Sequence, residues 1–427
     1  MLNKLKKIYH FILAVVAYWF YGRPSRKMIM IGVTGTKGKS TTCRLIASAL
    51  GTRGDKVGML TTVEWQIGDK VMKNNKKITM LGRGLIQKML RKMSHQGCYY
   101  AVVEISSQGI LQFRHYGLDL DIVVFTNLAP EHIEAHGGFE NYKKSKAVIF
   151  QELKKQKNKI INEQEIKKII LVNIDDSNAE YYLNFPADKK ITFGIKNNEA
   201  NVRGVVHSTN KLQTVFLVDN HEFILPMAGE FNIYNALPAV VLAREFGLTD
   251  EKIAQSFKQV KQIDGRMEFI EAEQPFNVIV DFAHETLSYV ELFKAIRKFT
   301  TGKIIALIGS DGGGRDKQKR SKMGQIAGEL CDVVIVTEVN CYDENSADII
   351  ATVASGARVA GKCDGENLFL EENRRQAIIL AFGLAKADDT VVLVGKGGES
   401  GIIQAHGKKI PWDDREVARE ELLKMKF

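Results

Sequence analysis

The stretch Thr34-Gly35-Thr36-Lys37-Gly38-Lys39-Ser40-Thr41 limits the possible folds of this chain more than any other feature. It follows an apolar run at residues 28–33 and precedes a helical pattern at 41–50, so it reads as strand, loop, helix. A G-x-x-x-x-G-K-[ST] search misses it by one place, because Val33 stands where the first glycine belongs. The physics survives the mismatch. Glycines let backbone N–H groups close around phosphate oxygens, and the helix start adds its dipole. Gly35, Thr36, Lys37, Gly38 and Thr41 supply the cradle, Lys39 reaches toward β and γ phosphates, and Ser40 offers a hydroxyl to Mg²⁺. A glycine-rich turn with an incidental lysine would leave the joint spacing of Gly, Lys and Ser unexplained.

Apolar runs at 99–105, 121–126 and 169–174 alternate with amphipathic segments, the rhythm of a parallel α/β sheet. Short β-rich pieces at 191–195, 214–218 and 222–225 predict a small antiparallel appendage, after which a helix resumes at 235–246. A second series of strands at 278–281, 303–310, 332–338 and 390–396 again alternates with helices. The predicted architecture is α/β: an apolar helix within 1–27, a P-loop ATPase domain with a mostly parallel sheet at 28–263, and a Rossmann-like C-terminal α/β domain at 264–427. At 427 residues, 45% hydrophobic and 26% charged, the chain can bury two cores, and collagen-like and low-complexity classes are excluded. The net charge of +10 suits phosphate-rich ligands, nucleic acid and anionic membranes alike. No basic–aromatic interleaving supports a nucleic-acid partner. The five cysteines contain no C-x-x-C pair, which argues against a zinc ribbon or disulfide framework and for a cytoplasmic protein.

At the front, Lys4, Lys6 and Lys7 precede an apolar run at 8–21, itself followed by Arg23, Arg26 and Lys27. The run is shorter than the roughly 20 residues needed to span a bilayer, and no small-residue cleavage site follows it. It is read first as a helix packed on the protein's own core. The sharper reading is an interfacial helix with Tyr18, Trp19 and Tyr21 at headgroup level, giving peripheral membrane contact through 8–21.

A P-loop needs metal ligands. Glu104 ends one predicted strand and His132 lies just past the next, and ligands of open α/β sheets gather at strand carboxyl ends. On the predicted helix at 140–153, Lys146 shares an apolar face with Tyr142, Ile149, Phe150 and Leu153. Burial beside Lys143 and Lys144 favours a neutral amine. Such an amine near a divalent metal can capture CO₂ as a carbamate, becoming an anionic oxygen ligand.

The segments Thr34–Thr42, Glu104-Ile-Ser-Ser107, Thr126-Asn-Leu with His132 and His136-Gly137, Tyr142-x-x-x-Lys146, Gly229-x-Phe231-Asn232 with Asn235, Gly265-Arg266-Met267-Glu268, Asp281-Phe-Ala-His284, Gly395-Lys-Gly-Gly-Glu399 and Asp414-Arg415 together resemble the Mur ligases, most of all the MurE branch. The resemblance implies an ATP-dependent, ADP-forming ligase of peptidoglycan biosynthesis that joins an amino acid to a carboxyl-bearing peptide or cell-wall precursor through an acyl phosphate. By position it implies that Lys39, Glu104, His132 and Lys146 are catalytic. Ser40 and Glu104 would hold one Mg²⁺, His132 and carbamylated Lys146 a second. Asn235, Arg266, Asp281 and His284 would contact the nucleotide, while Asn340, Tyr342 and Glu399 would line the amino-acid pocket. A monomer is expected.

Departures from the pattern bear on substrate. Where diaminopimelate-using branches carry Asp-Asn-Pro-Arg, this chain reads Val339-Asn340-Cys341-Tyr342, so the carboxylate-gripping arginine is replaced. Glu131, Phe282 and Gly398 stand for the usual Asp, Tyr and His. Only 27 residues precede the first predicted strand, where the family carries a uridine-binding domain, so the sequence reading expects acceptors to be recognised without a uridine handle. Folylpolyglutamate synthases and poly-γ-glutamate synthetases are the alternative ligases. A non-catalytic ATP-binding subunit is the alternative from another class.

Overall fold

The computed structural model describes residues 2–74, 76, 78–130, 136–314 and 317–425, with side chains described from residue 8. The chain divides into one unit of Met1–Thr209, Gln213–Pro226 and Glu230–Lys261 and another of Asn210–Leu212, Met227–Gly229 and Gln262–Phe427.

In the first unit, aliphatic and β-branched runs form β1 (Ile29–Thr34), β2 (Lys56–Leu60), β3 (Glu64–Ile67), β4 (Lys70–Lys73), β5 (Cys98–Glu104) and β6 (Ile122–Phe125). Next come a separate hairpin, β7 (Lys159–Ile161) with β8 (Gln164–Ile166), and then β9 (Ile169–Asn173), β10 (Lys189–Gly194) and β11 (Val202–Arg203). Nine of these strands make one sheet in the order β11-β10-β9-β6-β1-β5-β2-β3-β4. Every pairing from β11 to β2 is parallel; β3 and β4 add an antiparallel edge. All residues of β1, β6 and β9 are buried, as expected of parallel strands covered on both faces. The register sets Val33 beside Glu104 and Thr34 beside Phe125, so β1, β5 and β6 end at one level.

The antiparallel appendage is β12 (Val205–Thr209), β13 (Thr214–Val218) and β14 (His221–Leu225). The piece at 191–195 was expected in it but forms β10 of the parallel sheet. Only the two-residue β11 covers its outer edge, and its half-exposed, alternating pattern imitates an antiparallel strand. The helix after the glycine-rich loop is Lys39–Gly51, two residues earlier than the periodicity indicated, and the later one is Phe231–Glu245 with Pro238 inside it. The helix Phe139–Leu153 is clamped to the sheet by aromatic packing: Phe125 stacks on Tyr182 at 4.1 Å, and Phe150 meets Tyr182 at 4.9 Å.

The front helix, Leu2–Phe20, buries Ala14 and Tyr18. Tyr18 donates to Asp119 Oδ2 at 2.6 Å, which Ser25 also reaches, and Phe11 packs edge-on against Phe113 and Tyr116. One face is therefore packed as expected, while the opposite face is exposed. Among the described residues no helix is long and apolar enough to cross a membrane.

The second unit has its own sheet: β15 (Glu268–Phe269), β16 (Asn277–Asp281), β17 (Ile304–Ile308), β18 (Val333–Val336), β19 (Leu368–Leu370) and β20 (Thr390–Val394), ordered β15-β16-β20-β17-β18-β19. All pairings but β15–β16 are parallel. A buried pair, Arg374 with Asp414 at 2.6 Å, ties the helix Arg374–Leu384 to Asp414–Lys424.

The first unit is pinned near the start of β6 by Asp121, which is fully buried and holds Lys159 at 2.6 Å and Lys168 at 2.9 Å while accepting from the Met30 amide. Lys159 also donates to the carbonyls of Ser25 and Met28, and its burial pushes its pKa down against the pull of Asp121. Removing one partner of such a group leaves uncompensated charge in the core. Asp121→Asn should cost about 3–5 kcal/mol of unfolding free energy in urea titration. A loss below about 1 kcal/mol would show that the two ammonium groups find solvent.

Candidate active site

Beyond Thr34 the chain turns through Gly35–Gly38 before the helix begins at Lys39, so Lys39 and Ser40 are its first residues. Two close approaches demand the glycines. Gly38 sits at φ 80°, and a Cβ there would collide with Asn235 Oδ1; at Gly35 it would collide with Thr126 Oγ1. The loop is gripped from β6's end: Lys37 N donates to Asn127 Oδ1 at 2.8 Å, Asn127 Nδ2 returns to Lys37 O at 3.2 Å, and Thr126 Oγ1 donates to Lys37 O at 2.8 Å. Asn235 is steadied by Asn232, to which its amide donates at 3.0 Å. Lys39 curls back to donate to Thr36 O at 2.9 Å, and Thr41 is buried one residue beyond Ser40.

Beneath this cradle the Ser40 hydroxyl donates to Glu104 Oε2 at 2.7 Å, the register of β5 against β1 having brought the carboxylate there. Thr62, past the end of β2, donates to the same oxygen through its amide at 2.8 Å and its hydroxyl at 3.0 Å. Ser40 and Glu104 are both buried, and hydroxyl and carboxylate oxygens are hard donors that suit Mg²⁺. On the other side Lys146, 1% exposed, donates to Gly35 O at 2.8 Å and lies 4.6 Å over the Tyr142 ring. Tyr142 Oη is 3.2 Å from Thr36 Oγ1, which in turn accepts from Ala129 N. His136 packs against Tyr142, and burial first, then the Lys146 charge, holds its pKa below the ordinary imidazole range. His132 lies outside the described residues.

The structure thus brings together Gly35, Thr36, Lys37, Gly38, Lys39, Ser40, Thr41, Glu104, Lys146 and Asn235 from the sequence reading. Sequence reasoning missed Thr62; its only signal was a Thr-Thr pair after a strand that ends at the carboxyl edge of the sheet.

In the second unit, residues 264–268, 281–284 and 395–399 converge. Gly265 at φ 61° leaves no room for a Cβ against Gly397 and Gly398. Arg266 lies 4.3 Å over the Phe282 ring; Asp281 accepts from Met267 N at 2.7 Å and Ala283 N at 2.6 Å; His284 Nδ1 is 3.0 Å from Phe282 O. Asn340 uses both ends of its amide: Oδ1 accepts from Lys396 at 2.9 Å and from Ile403 N at 2.9 Å, and Nδ2 donates to Asp311 at 2.8 Å. Fully buried Lys396 also pairs with Glu399 at 2.6 Å. Tyr342, at φ 53°, faces Gly313, where a Cβ would come within 2.9 Å of its ring. Arg320 holds Glu344 at 3.0 Å, and this hydrogen bond first of all brings the Glu344 pKa down to about 2.

The chain is similar to known proteins along nearly its whole length. The family description "Mur ligase middle domain" matches residues 33–243, and "Mur ligase, glutamate ligase domain" matches 265–397. The UDP-N-acetylmuramyl-tripeptide synthetase of Roseiflexus sp. is 37% identical over 423 residues, 97% of this chain and 82% of that protein. The UDP-N-acetylmuramoyl-L-alanyl-D-glutamate--2,6-diaminopimelate ligase of Bacillus licheniformis is 33% identical over 97% of this chain and 82% of its own length. A solved structure of a 2,6-diaminopimelate ligase of the same name matches with TM-score 0.61 and 27% identity, covering 92% of this chain and 78% of that one. The folylpolyglutamate synthase of Mycobacterium tuberculosis, complexed with ADP and AMPPCP, reaches TM-score 0.69 over 90% of this chain and 92% of that one, but at 16% identity this is a likeness of fold alone. With a phosphate-type loop, a strand-end carboxylate and a buried lysine set as described, and with relatives above 30% identity along nearly its whole length, the chain belongs to the Mur ligase family of ATP-dependent, ADP-forming ligases and is of the MurE-like type.

Proposed function

We propose that this ligase, working in the cytoplasm, extends a muramoyl-peptide or similar carboxyl-bearing cell-wall precursor by one amino acid. The acceptor carboxylate attacks the γ-phosphorus of ATP, the bond to the ADP oxygen breaks, and an acyl phosphate forms. The amino acid's amine then attacks the acyl carbon, loses a proton and expels inorganic phosphate. Positioning and charge neutralisation dominate such chemistry. The observation that carries this reading is the Ser40–Glu104 contact directly behind the Gly35–Gly38 loop. The loop amides and Lys39 bind and neutralise the transferred phosphoryl group, with Asn235, Arg266, Asp281 and His284 as nucleotide contacts. Ser40 and Glu104 would hold Mg²⁺, with His132 and carbamylated Lys146 as ligands of a second ion; the metal supplies charge neutralisation at the phosphates. Asn340, Tyr342 and Glu399 select the amino acid. The family names of the relatives above, both acting on muramoyl peptides, support this acceptor class.

Lys146 becomes the carbamate when its neutral Nζ bonds the carbon of CO₂ and releases a proton. Its burial against Tyr142 and Gly35 supports that step, since loss of solvent disfavours the charged ammonium and leaves more of the neutral amine that reacts with CO₂. The carbamate would also reverse the sign of the Lys146 effect on His136.

The overall reading is tested by supplying ATP, pooled amino acids and muramoyl-peptide acceptors with and without the UDP group, and identifying the ligated product by mass spectrometry alongside phosphate release. ATP binding without any product would favour a non-catalytic subunit instead. Glu104→Gln and Lys39→Ala should each lower kcat by about 10²–10³-fold, the range for losing one group that stabilises developing charge. Lys146→Ala should lose activity and regain part of it with millimolar short-chain carboxylates; full activity in the bare variant would end the carbamate assignment. Diaminopimelate should not outcompete lysine or ornithine, because Tyr342 occupies the place of a bidentate clamp and Arg374 is committed to Asp414. Competition among the three amino acids in one reaction reads this directly.

A further inference from the structure

We propose that the helix Leu2–Phe20 seats the protein on the surface of an anionic lipid bilayer, lying in the plane of the interface. This goes beyond the ligase reading and does not depend on it. The inner face is fixed to the first unit through Ala14, Tyr18 and the Phe11 ring contacts. The outer face is bare: Ile8 is 56% exposed, Ile12 53%, Val16 56%, Trp19 59% and Phe20 73%, with Tyr9 and Leu13 beside them. At roughly 100° per residue these seven side chains fill an arc of about 140°, and no polar residue interrupts it. Other exposed large apolar residues, such as Val71, Ile160 and Leu423, are spread over separate elements, which is ordinary for a surface. A contiguous patch of this kind marks a docking site.

Charge identifies the occupant. Lys4 and Lys6 occupy helix positions at the two borders of the arc. At the other end Arg23 stacks on the Trp19 ring at 4.5 Å, and Arg26 and Lys27 are exposed in the turn that follows. Apolar surface with aromatic members, bordered by cations at both ends, complements a headgroup layer carrying negative charge. A helical protein partner would be served by a narrower seam of two positions per seven. The helix does not cross, since it lacks the length and apolarity.

The test uses the full chain and co-sedimentation with vesicles of phosphatidylcholine alone or with roughly one-third phosphatidylglycerol. Binding should be at least about tenfold stronger to the anionic vesicles and should fall several-fold between about 0.1 M and 1 M salt, as the screening length shortens. Ile12→Glu with Val16→Glu, both on the exposed face, should reduce partitioning at least about tenfold while leaving melting temperature and ATP turnover unchanged. Ile12→Ser with Val16→Ser serves as the milder pair should the first misfold. Brominated lipid should quench fluorescence that Trp19→Phe lacks. No sedimentation with anionic vesicles, or binding indifferent to both double variants, overturns the proposal. So does a dimer in light scattering that the double variant abolishes in a protein that ignores vesicles, for the face would then be a contact between copies.

Discussion

Everything at the nucleotide end of the first unit depends on the parallel register of β1 with β5 and β6. Because Val33 lies beside Glu104 and Thr34 beside Phe125, the three strands finish at one level. The loop leaving β1 must therefore run directly over the ends of its neighbours. That proximity lets Thr126 and Asn127 grip Lys37, and it puts the Glu104 carboxylate under Ser40. It also removes the space a side chain would need at Gly35. A slip of one residue in the β1–β5 pairing would take Glu104 away from Ser40 to the other face of the sheet. The site is a property of strand pairing before it is a property of the loop.

Burial on the far side of the loop is organised differently. The stack of Phe125, Tyr182 and Phe150 holds the helix Phe139–Leu153 against the sheet, and Lys146 is one turn before Phe150 on that helix. The lysine stem thus follows the aromatic anchor into the core, and its nitrogen emerges at Gly35 O beside the Tyr142 ring. An amine delivered this way gains its position from apolar packing, so its chemistry can change while its place does not.

Much of this was legible in the residues. The loop announced itself by glycine and lysine spacing, Glu104 by its place at a strand end, and Lys146 by lying on an apolar stripe where a lysine has no ordinary reason to be. What escaped was whatever depends on partners distant in sequence. Thr62 acts on Glu104 from the loop that follows the neighbouring strand, 42 positions away, and nothing local to it carries that information. The strand at 191–195 was assigned to the wrong sheet because alternating burial reports one exposed side without saying which neighbour covers the other. The front helix was legible as a helix, yet its bare outer arc could be seen only once Ala14 and Tyr18 had been placed inward.

The second unit holds one loop by contacts at its two ends. The segment from Asn340 to Glu344 is anchored at both ends by groups outside it: Asn340 through Asp311, Lys396 and Ile403 N, and Glu344 through Arg320. In between, the Tyr342 amide donates to Ile403 O at 3.2 Å, a bond any residue but proline could make. The backbone path through Cys341 and Tyr342 is therefore held by contacts that do not depend on their side chains. Lys396 has the complementary duty. Fully buried, it pairs with the Glu399 carboxylate, to which Asn340 Nδ2 also donates at 3.4 Å. The path of this loop is thus set by Asn340, Glu344, Arg320 and Lys396, through contacts that do not involve the side chains at 341 and 342.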